Sequence, residues 1–122
     1  MGGTAVTRYA EGALGAVGAT VALQAFTDNI TVADSTVGPT EAEIETYLGT
    51  NSVFQNGSTN DGIYIAADNG IDTFIFLITE GADGTDKQFD AADDAGVAIM
   101  RIIGLNDVSS LDGANFTNFT NA

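Results

Sequence analysis

The sequence predicts a mainly β fold, a small antiparallel β-sandwich-like domain with one short helix near residues 41–48. Two apolar segments, residues 63–67 and 72–79, flank the turn sequence Asp68-Asn69-Gly70, which is typical of a hairpin. A third apolar segment, residues 97–103, follows them. At 122 residues and 44% hydrophobic content, the chain is long enough for one domain with a modest core.

The helix has clear start and stop signals. Thr40 is placed to cap its first amides, and Glu43 three residues later completes a capping box. Gly49 is a typical terminator of a helix. The apolar stripe consists of Ile44, Tyr47 and Leu48.

The chain divides by composition into a Gly/Ala-rich N-terminal segment, residues 1–26, and a β-rich domain, residues 27–122. Glycines within the first segment argue against a stable helix there. Residues 20–26 alternate as a strand does, and residues 29–32 predict another short strand. Residues 104–114 predict a loop.

Two details of the hairpin follow from its composition. Asn69-Gly70 predicts a two-residue turn, in which both central residues have a positive φ. Residues 72–79 are apolar at consecutive positions, so we expect both faces of this strand to be covered, or one face to lie against a neighbouring molecule. The repeated Asn-Phe-Thr unit in residues 115–122 is a candidate edge strand.

Charge and residue types exclude several classes of function. The net charge of −14, with three basic residues, disfavours nucleic acid and anionic membrane surfaces. The longest uncharged stretch, residues 12–27, is short of a membrane span, so we expect no membrane insertion. The absence of cysteine and histidine removes disulfides, thiol catalysis, zinc–thiolate sites and Ser–His–Asp chemistry. We therefore expect no enzymatic activity and no catalytic residues.

An acidic run lies between the second and third apolar segments, and it predicts a calcium site. Calcium binds six to eight hard oxygens, which carboxylates, carbonyls and water supply. The alternative, a solvated acidic loop, has equal weight. The best candidate ligands are Asp83, Asp86 and Asp90, with Asp93 and Asp94 completing the shell.

Two further groups of acidic and amide residues are weaker candidates for a cation. They are ordinary turn residues, and a turn role is the favoured interpretation. The groups are Asp28, Asn29 and Asp34, and Asp61, Asp68 and Asp72.

Several segments resemble the C-terminal region of bacterial surface proteins exported by type I secretion, the RTX-type adhesins and S-layer proteins. The resemblance implies an extracellular, calcium-associated β-rich domain whose C-terminus directs export without an N-terminal leader. The helix that begins after Thr40 also looks like the usual prelude of this family. The matching residues are Gly62-Ile63-Tyr64-Ile65, Asp68 to Phe76, Gly81 to Asp86, Arg101-Ile102-Ile103-Gly104-Leu105 and Leu111 to Phe116.

The N-terminal segment predicts β-strand donation to a second copy of the chain. An extended donor completes the sheet of a neighbour, and small side chains fit a tight groove. The alternative is an intramolecular strand that covers the apolar hairpin. The candidate donor residues, whose side chains would lie in the groove of the neighbour, are Ala13, Ala16, Val17, Ala19 and Val21.

Together these features predict a secreted structural protein that self-assembles into an extracellular filament or surface lattice, stabilised by calcium. Its location would be extracellular or at the cell surface. The alternatives are a calcium-dependent adhesin or glycan-binding module, and a domain that acts chiefly as an export signal.

Overall fold

The computed structural model describes residues 9–54, 61–81 and 87–112, and Asn115. These residues form a small β-rich domain with one α-helix and one short 3-10 helix, which confirms the predicted mainly β fold and its helix. The elements are β1 (Tyr9–Gly12), β2 (Leu23–Phe26), α1 (Glu41–Leu48), β3 (Gly62–Asp68), β4 (Thr73–Thr79), β5 (Ala95–Ile102) and the 3-10 helix Val108–Ser110.

The described strands form one mixed sheet in the order β1-β2-β3-β4-β5. The β3–β4 and β4–β5 pairs are antiparallel, as the sequence predicts, whereas β1–β2 and β2–β3 are parallel. A parallel pair needs a crossover connection, and the connection from β2 to β3 contains α1. The sheet is therefore mixed rather than wholly antiparallel, with α1 against one face.

Side chains are buried on both faces of the central strands. On the face toward α1, buried side chains from the sheet pack with the helix, and a smaller cluster lies on the opposite face under the C-terminal residues. Consecutive burial along β4 explains its unbroken apolar sequence. The first cluster includes Phe26, Ile44, Leu48, Phe54, Ile63, Ile65, Phe74, Phe76, Ile78 and Phe89, and the second Leu23, Ala25, Ala66, Ile75, Val108 and Leu111.

The ends of α1 match the sequence prediction. The Glu43 amide donates to Thr40 Oγ1 at 3.2 Å, and the Thr40 amide donates to Glu43 Oε2 at 2.8 Å, which is the predicted capping box. Gly49 has a φ of 56°, and its amide donates to the Glu45 carbonyl. Glu43 Oε1 also accepts from the Ala33 amide at 2.8 Å, so one carboxylate joins the helix to the preceding loop.

We expect Glu43→Gln to destabilise the fold at neutral pH and to have little effect under acid conditions. Hydrogen bonds from the Thr40 and Ala33 amides lower the pKa of the Glu43 carboxyl. A lowered pKa contributes stability above the pKa of the unfolded chain, and this contribution is lost as the pH falls through the folded pKa. Urea denaturation midpoints of the original protein and of Glu43→Gln, measured between pH 7 and pH 3, would check this. Glu45→Gln, at an exposed position of the same helix, is the control. A difference in midpoint between the original protein and Glu43→Gln that is the same at pH 7 and pH 3 would contradict the prediction.

Two local predictions are wrong. The hairpin has no two-residue turn: Asp68 pairs with Thr73, and in the four intervening residues only Gly70 has a positive φ. The Asn69 side chain accepts from the Ile71 and Asp72 amides, at 3.0 and 2.8 Å, and this stabilises the longer loop. Residues 29–32 form no strand, although Ile30 is buried and its amide donates to the Asp68 carbonyl.

Within the part of the chain that the structure describes, no helix has the length and apolar character needed to cross a membrane.

Candidate functional site

β5 forms one edge of the described sheet. It pairs with β4 on one side, and no described strand lies on its other side. An edge strand presents a row of backbone donors and acceptors that a further strand can pair with. β5 is eight residues long, so it offers a longer template than β1, which forms the other edge with four.

Exposed apolar side chains are concentrated along β5. Val97, Ile99 and Met100 are 55%, 47% and 47% exposed, and Ile103, directly after the strand, is 75% exposed. We call these four residues the β5 surface. Among the described residues, the other exposed large apolar side chains are Val37 and Ile71, which lie in loops. An exposed apolar edge strand is a typical site of contact between chains.

A β-bulge interrupts the pairing of β5 with β4. Phe76 pairs with Ala98 and Ile75 pairs with Met100, so Ile99 is the additional residue. A bulge increases the local twist of a strand and changes the direction of its side chains. It therefore separates the first part of β5 from its last residues.

The first part of β5 is partly covered by α1. A β-carbon on Gly96 would lie 2.8 Å from Ile44 Cδ1 and 3.2 Å from Phe89 Cζ, so glycine allows this close packing. The Gly96 amide also donates to Glu41 Oε1 at 3.2 Å. Exposed apolar side chains lie beyond this contact with α1, at Val97 before the bulge and at Ile99 and Met100 from the bulge onward.

The β5 strand contains one charged residue, Arg101, in a chain with a net charge of −14. Arg101 NH2 lies 2.8 Å from Asp72 Oδ2, and the Gly104 amide donates to Asp72 Oδ1 at 2.7 Å. The Gly104 hydrogen bond and the Arg101 guanidinium lower the pKa of the Asp72 carboxyl. The Asp72 side chain is 3% exposed and the Arg101 side chain 31% exposed, so the guanidinium still reaches solvent beside the edge.

The opposite edge is formed by β1, within the N-terminal segment of residues 1–26. β1 carries one charged residue, the exposed Glu11, and the Tyr9 hydroxyl donates to the Leu111 carbonyl at 3.0 Å. In the single chain, β1 and β2 pair with each other in the sheet. The candidate donor residues from Ala13 to Val21 lie in the connection between these two strands. Residues 1–8 lie outside the described residues. Donation concerns a contact between copies, and it stays a prediction.

The acidic run is described only in part. Asp83 and Asp86 lie outside the described residues, whereas Asp90, Asp93 and Asp94 follow in the loop before β5. Asp94 is buried, and its two carboxylate oxygens accept from the Gly81 and Asp90 amides at 2.7 and 2.8 Å. This carboxylate therefore joins the end of β4 to the start of β5.

The other two described members of the run differ from Asp94. Asp90 Oδ1 accepts from the Ala92 amide at 2.9 Å, and Asp93 is exposed. Among residues 9–54, 61–81, 87–112 and 115, no group of three acidic side chains is arranged to hold a metal ion. The calcium site, which includes two residues beyond those described, stays a prediction.

Four of the weaker cation candidates accept hydrogen bonds from backbone amides at their carboxylates, namely Asp28, Asp34, Asp68 and Asp72. Asp68 Oδ2 accepts from the Val108 amide at 3.0 Å, across 40 residues, and Asp28 Oδ2 accepts from the Leu14 amide at 2.6 Å. The Thr36 hydroxyl and the Thr36 amide donate to Asp34 Oδ1 at 2.6 and 2.9 Å, and these two hydrogen bonds lower the pKa of the Asp34 carboxyl. A turn role is thus accompanied by long-range contacts, which the local sequence did not indicate.

A groove of about 480 Å3 lies between α1 and the preceding loops, and it is a candidate site for a small ligand. Three of its polar residues, Asp28, Glu43 and Tyr47, form hydrogen bonds within the chain. Asp28 accepts from the Leu14 amide and from the Tyr47 hydroxyl, the latter at its carbonyl at 2.6 Å, and both Glu43 oxygens accept from amides. Burial raises the pKa of the Tyr47 hydroxyl, so it remains a donor.

No family model matches this chain, and comparisons with curated proteins and with solved structures find no match.

Proposed function

We propose that this chain is an extracellular structural protein whose copies assemble into a filament or surface lattice. The observation that carries the proposal is the β5 surface. Its exposed side chains Val97, Ile99, Met100 and Ile103 lie on, or directly after, an eight-residue edge strand. Addition of a strand from a second copy would pair the open edge through backbone hydrogen bonds and cover these side chains.

The charge distribution favours contact at this edge over contact elsewhere. Copies with a net charge of −14 repel one another. β5 has no acidic residue, and its arginine is paired with Asp72. Two copies can therefore approach at β5 with less repulsion than at the acidic surfaces of the domain.

The proposed donor is the N-terminal segment, residues 1–26, which contains β1. Contact between the N-terminal edge of one copy and β5 of another joins two different surfaces. A contact of this kind does not close on itself unless the rotation between copies forms a ring, so it extends into a filament.

Calcium is the proposed cofactor, bound by the acidic run, in which Asp83, Asp86 and Asp90 are the best candidate ligands and Asp93 and Asp94 complete the shell. The run leads directly into β5, so an ion there would fix the start of the acceptor strand. It would also reduce the repulsion among carboxylates. Export by type I secretion, which the resemblance implies, would bring the chain to a medium that contains calcium.

A calcium-dependent adhesin or glycan-binding module is the alternative function. The groove beside α1 would be its binding site. Internal hydrogen bonds already use Asp28 Oδ2 and both Glu43 carboxylate oxygens, so the acidic groups of the groove are less available to a sugar. This favours assembly over glycan recognition.

We expect the purified chain to form ordered filaments in the presence of calcium, and we expect a chelator to disperse them. Negative-stain microscopy and light scattering of the same sample, before and after chelation and after calcium is restored, would check this. A stable monomer in calcium at all concentrations would overturn assembly. Filaments that persist in chelator would overturn the role of calcium alone.

The β5 surface is tested within the same experiment by Ile99→Lys. A lysine at the edge would hinder strand addition, because it places a charge where a neighbour must pack. Ile71→Lys is the matched control, since Ile71 is a 67% exposed isoleucine in the hairpin loop and the substitution adds the same charge. Equal assembly of the two variants would exclude β5 as the contact.

A further inference from the structure

The two edge strands of the described sheet, β1 and β5, run in the same direction. β1, β2 and β3 are mutually parallel, β4 is antiparallel to β3, and β5 is antiparallel to β4. β5 is therefore parallel to β1. A second copy that continues the twist of the sheet beyond β5 would place its own β1 next to β5 in a parallel pair.

The charges of the edge strands favour this pairing over the symmetric ones. β5 carries Arg101 as its one charged residue, and β1 carries Glu11. Pairing β5 with β1 of another copy brings opposite charges to one contact. In a two-fold β5–β5 contact, Arg101 would meet no acidic residue of the partner strand, because β5 has none, and a β1–β1 contact would bring two glutamates close together.

We propose that β5 of one copy pairs in parallel with β1 of the next, so that the sheet continues from copy to copy through the filament. The partner is a second copy of this chain, and β1 is shared by two sheets, its own and that of its neighbour. This inference rests on the proposed function, because it specifies how the assembly is built.

The geometry of such a filament follows from the sheet. Strands lie about 4.8 Å apart, so five strands for each copy give an axial rise of about 24 Å. Neighbouring strands are rotated by about 20–25°, so successive copies are rotated by about 100–125°. A sixth strand in each copy, from residues 1–8 or from the candidate edge strand in residues 115–122, would give a rise of about 29 Å.

Helical reconstruction of the full-length filaments by electron cryomicroscopy tests the pairing. We expect the rise of about 24 Å and a parallel β5–β1 contact. A rise of about 29 Å, or an antiparallel contact, would overturn this inference and leave the assembly itself intact. Filaments that do not form would overturn the proposed function, so the two failures are distinguishable.

Glu11→Lys provides a solution test of the same contact. We expect the critical concentration for assembly to rise about two- to five-fold, the range of an exposed ion pair. Glu45→Lys makes the same change at an exposed position of α1 and reduces the repulsion between copies equally. Assembly of Glu11→Lys at or below the critical concentration of Glu45→Lys would overturn the pairing.

Removal of residues 1–8 leaves β1 in the chain and separates it from the alternative donor. We expect this truncated chain to form filaments with an unchanged rise. Loss of filaments on truncation, with the domain still folded by circular dichroism, would show that the donor lies before Tyr9 and would overturn the role of β1.

Discussion

Replacing Gly81 with alanine is expected to lower the free energy of unfolding by about 3 kcal/mol or more, because the fold has no room for a β-carbon there. A β-carbon at Gly81 would lie 1.7 Å from the Asp93 carbonyl oxygen and 2.8 Å from its carbonyl carbon. These are backbone atoms, so no side-chain rotation can relieve the clash.

Hydrogen bonds to the Asp94 carboxylate oppose movement of the backbone at Gly81. The Gly81 amide donates to Asp94 Oδ1, and Asp94 Oδ2 accepts from the Asp90 amide. A shift of either segment would separate a buried carboxylate from one of its donors, which costs about 1–3 kcal/mol. The clash and the lost hydrogen bond both destabilise the connection between β4 and β5.

Urea denaturation followed by circular dichroism would measure the effect. Gly15→Ala is the matched control, because a β-carbon there would lie 3.8 Å from its nearest neighbour, at ordinary contact distance. We expect the control to remain within about 1 kcal/mol of the original protein. Closely similar midpoints for the two variants would contradict the close approach at Gly81. The same variants in the filament assay would test whether the loop before β5 supports assembly.

Local sequence signals predicted the elements whose stabilising contacts are local. The capping box of Thr40 and Glu43 and the terminator Gly49 predicted α1 correctly, since each acts within a few residues. The apolar content of the two central segments and the turn sequence between them predicted β3 and β4, which pair across a short loop. The prediction of a two-residue turn between them was wrong because the Asn69 side chain stabilises a four-residue loop. The local sequence does not give the orientation of that side chain.

The parallel pairs were missed because pairing partners are distant in the chain. One signal could have indicated the β2–β3 pair. A helix between two strands is typical of a parallel crossover, and α1 lies between β2 and β3. The candidate site was predictable only in part for the same reason. Residues 97–103 were recognised as apolar, but their position at an edge follows from the order of the strands. The acidic run was recognised from composition, whereas the role of Asp94 depends on Gly81 and Asp90 together.

Asp68→Ala is expected to destabilise the fold by about 2–3 kcal/mol, chiefly by loosening the C-terminal residues. Asp68 ends β3 and is 3% exposed. Its Oδ1 accepts from the Gly70 amide at 2.9 Å, and its Oδ2 accepts from the Val108 amide at 3.0 Å. Val108 is fully buried in the second core cluster, so its amide has no route to water when the carboxylate is removed.

Two comparison variants separate the buried hydrogen bond from a general loss of charge. Asp68→Asn retains one carbonyl oxygen that can accept from the Val108 amide, so we expect a smaller loss than for alanine. Asp107→Ala removes an exposed carboxylate that accepts from the Ser109 amide at the start of the 3-10 helix, and water can replace it.

Urea denaturation would rank the three variants, and hydrogen exchange at the Val108 amide would locate the change. Asp68→Ala should increase that exchange before the exchange of β3 and β4 amides, because the C-terminal residues open first. Equal losses for Asp68→Ala and Asp107→Ala would show that the carboxylate does not hold the second cluster in place.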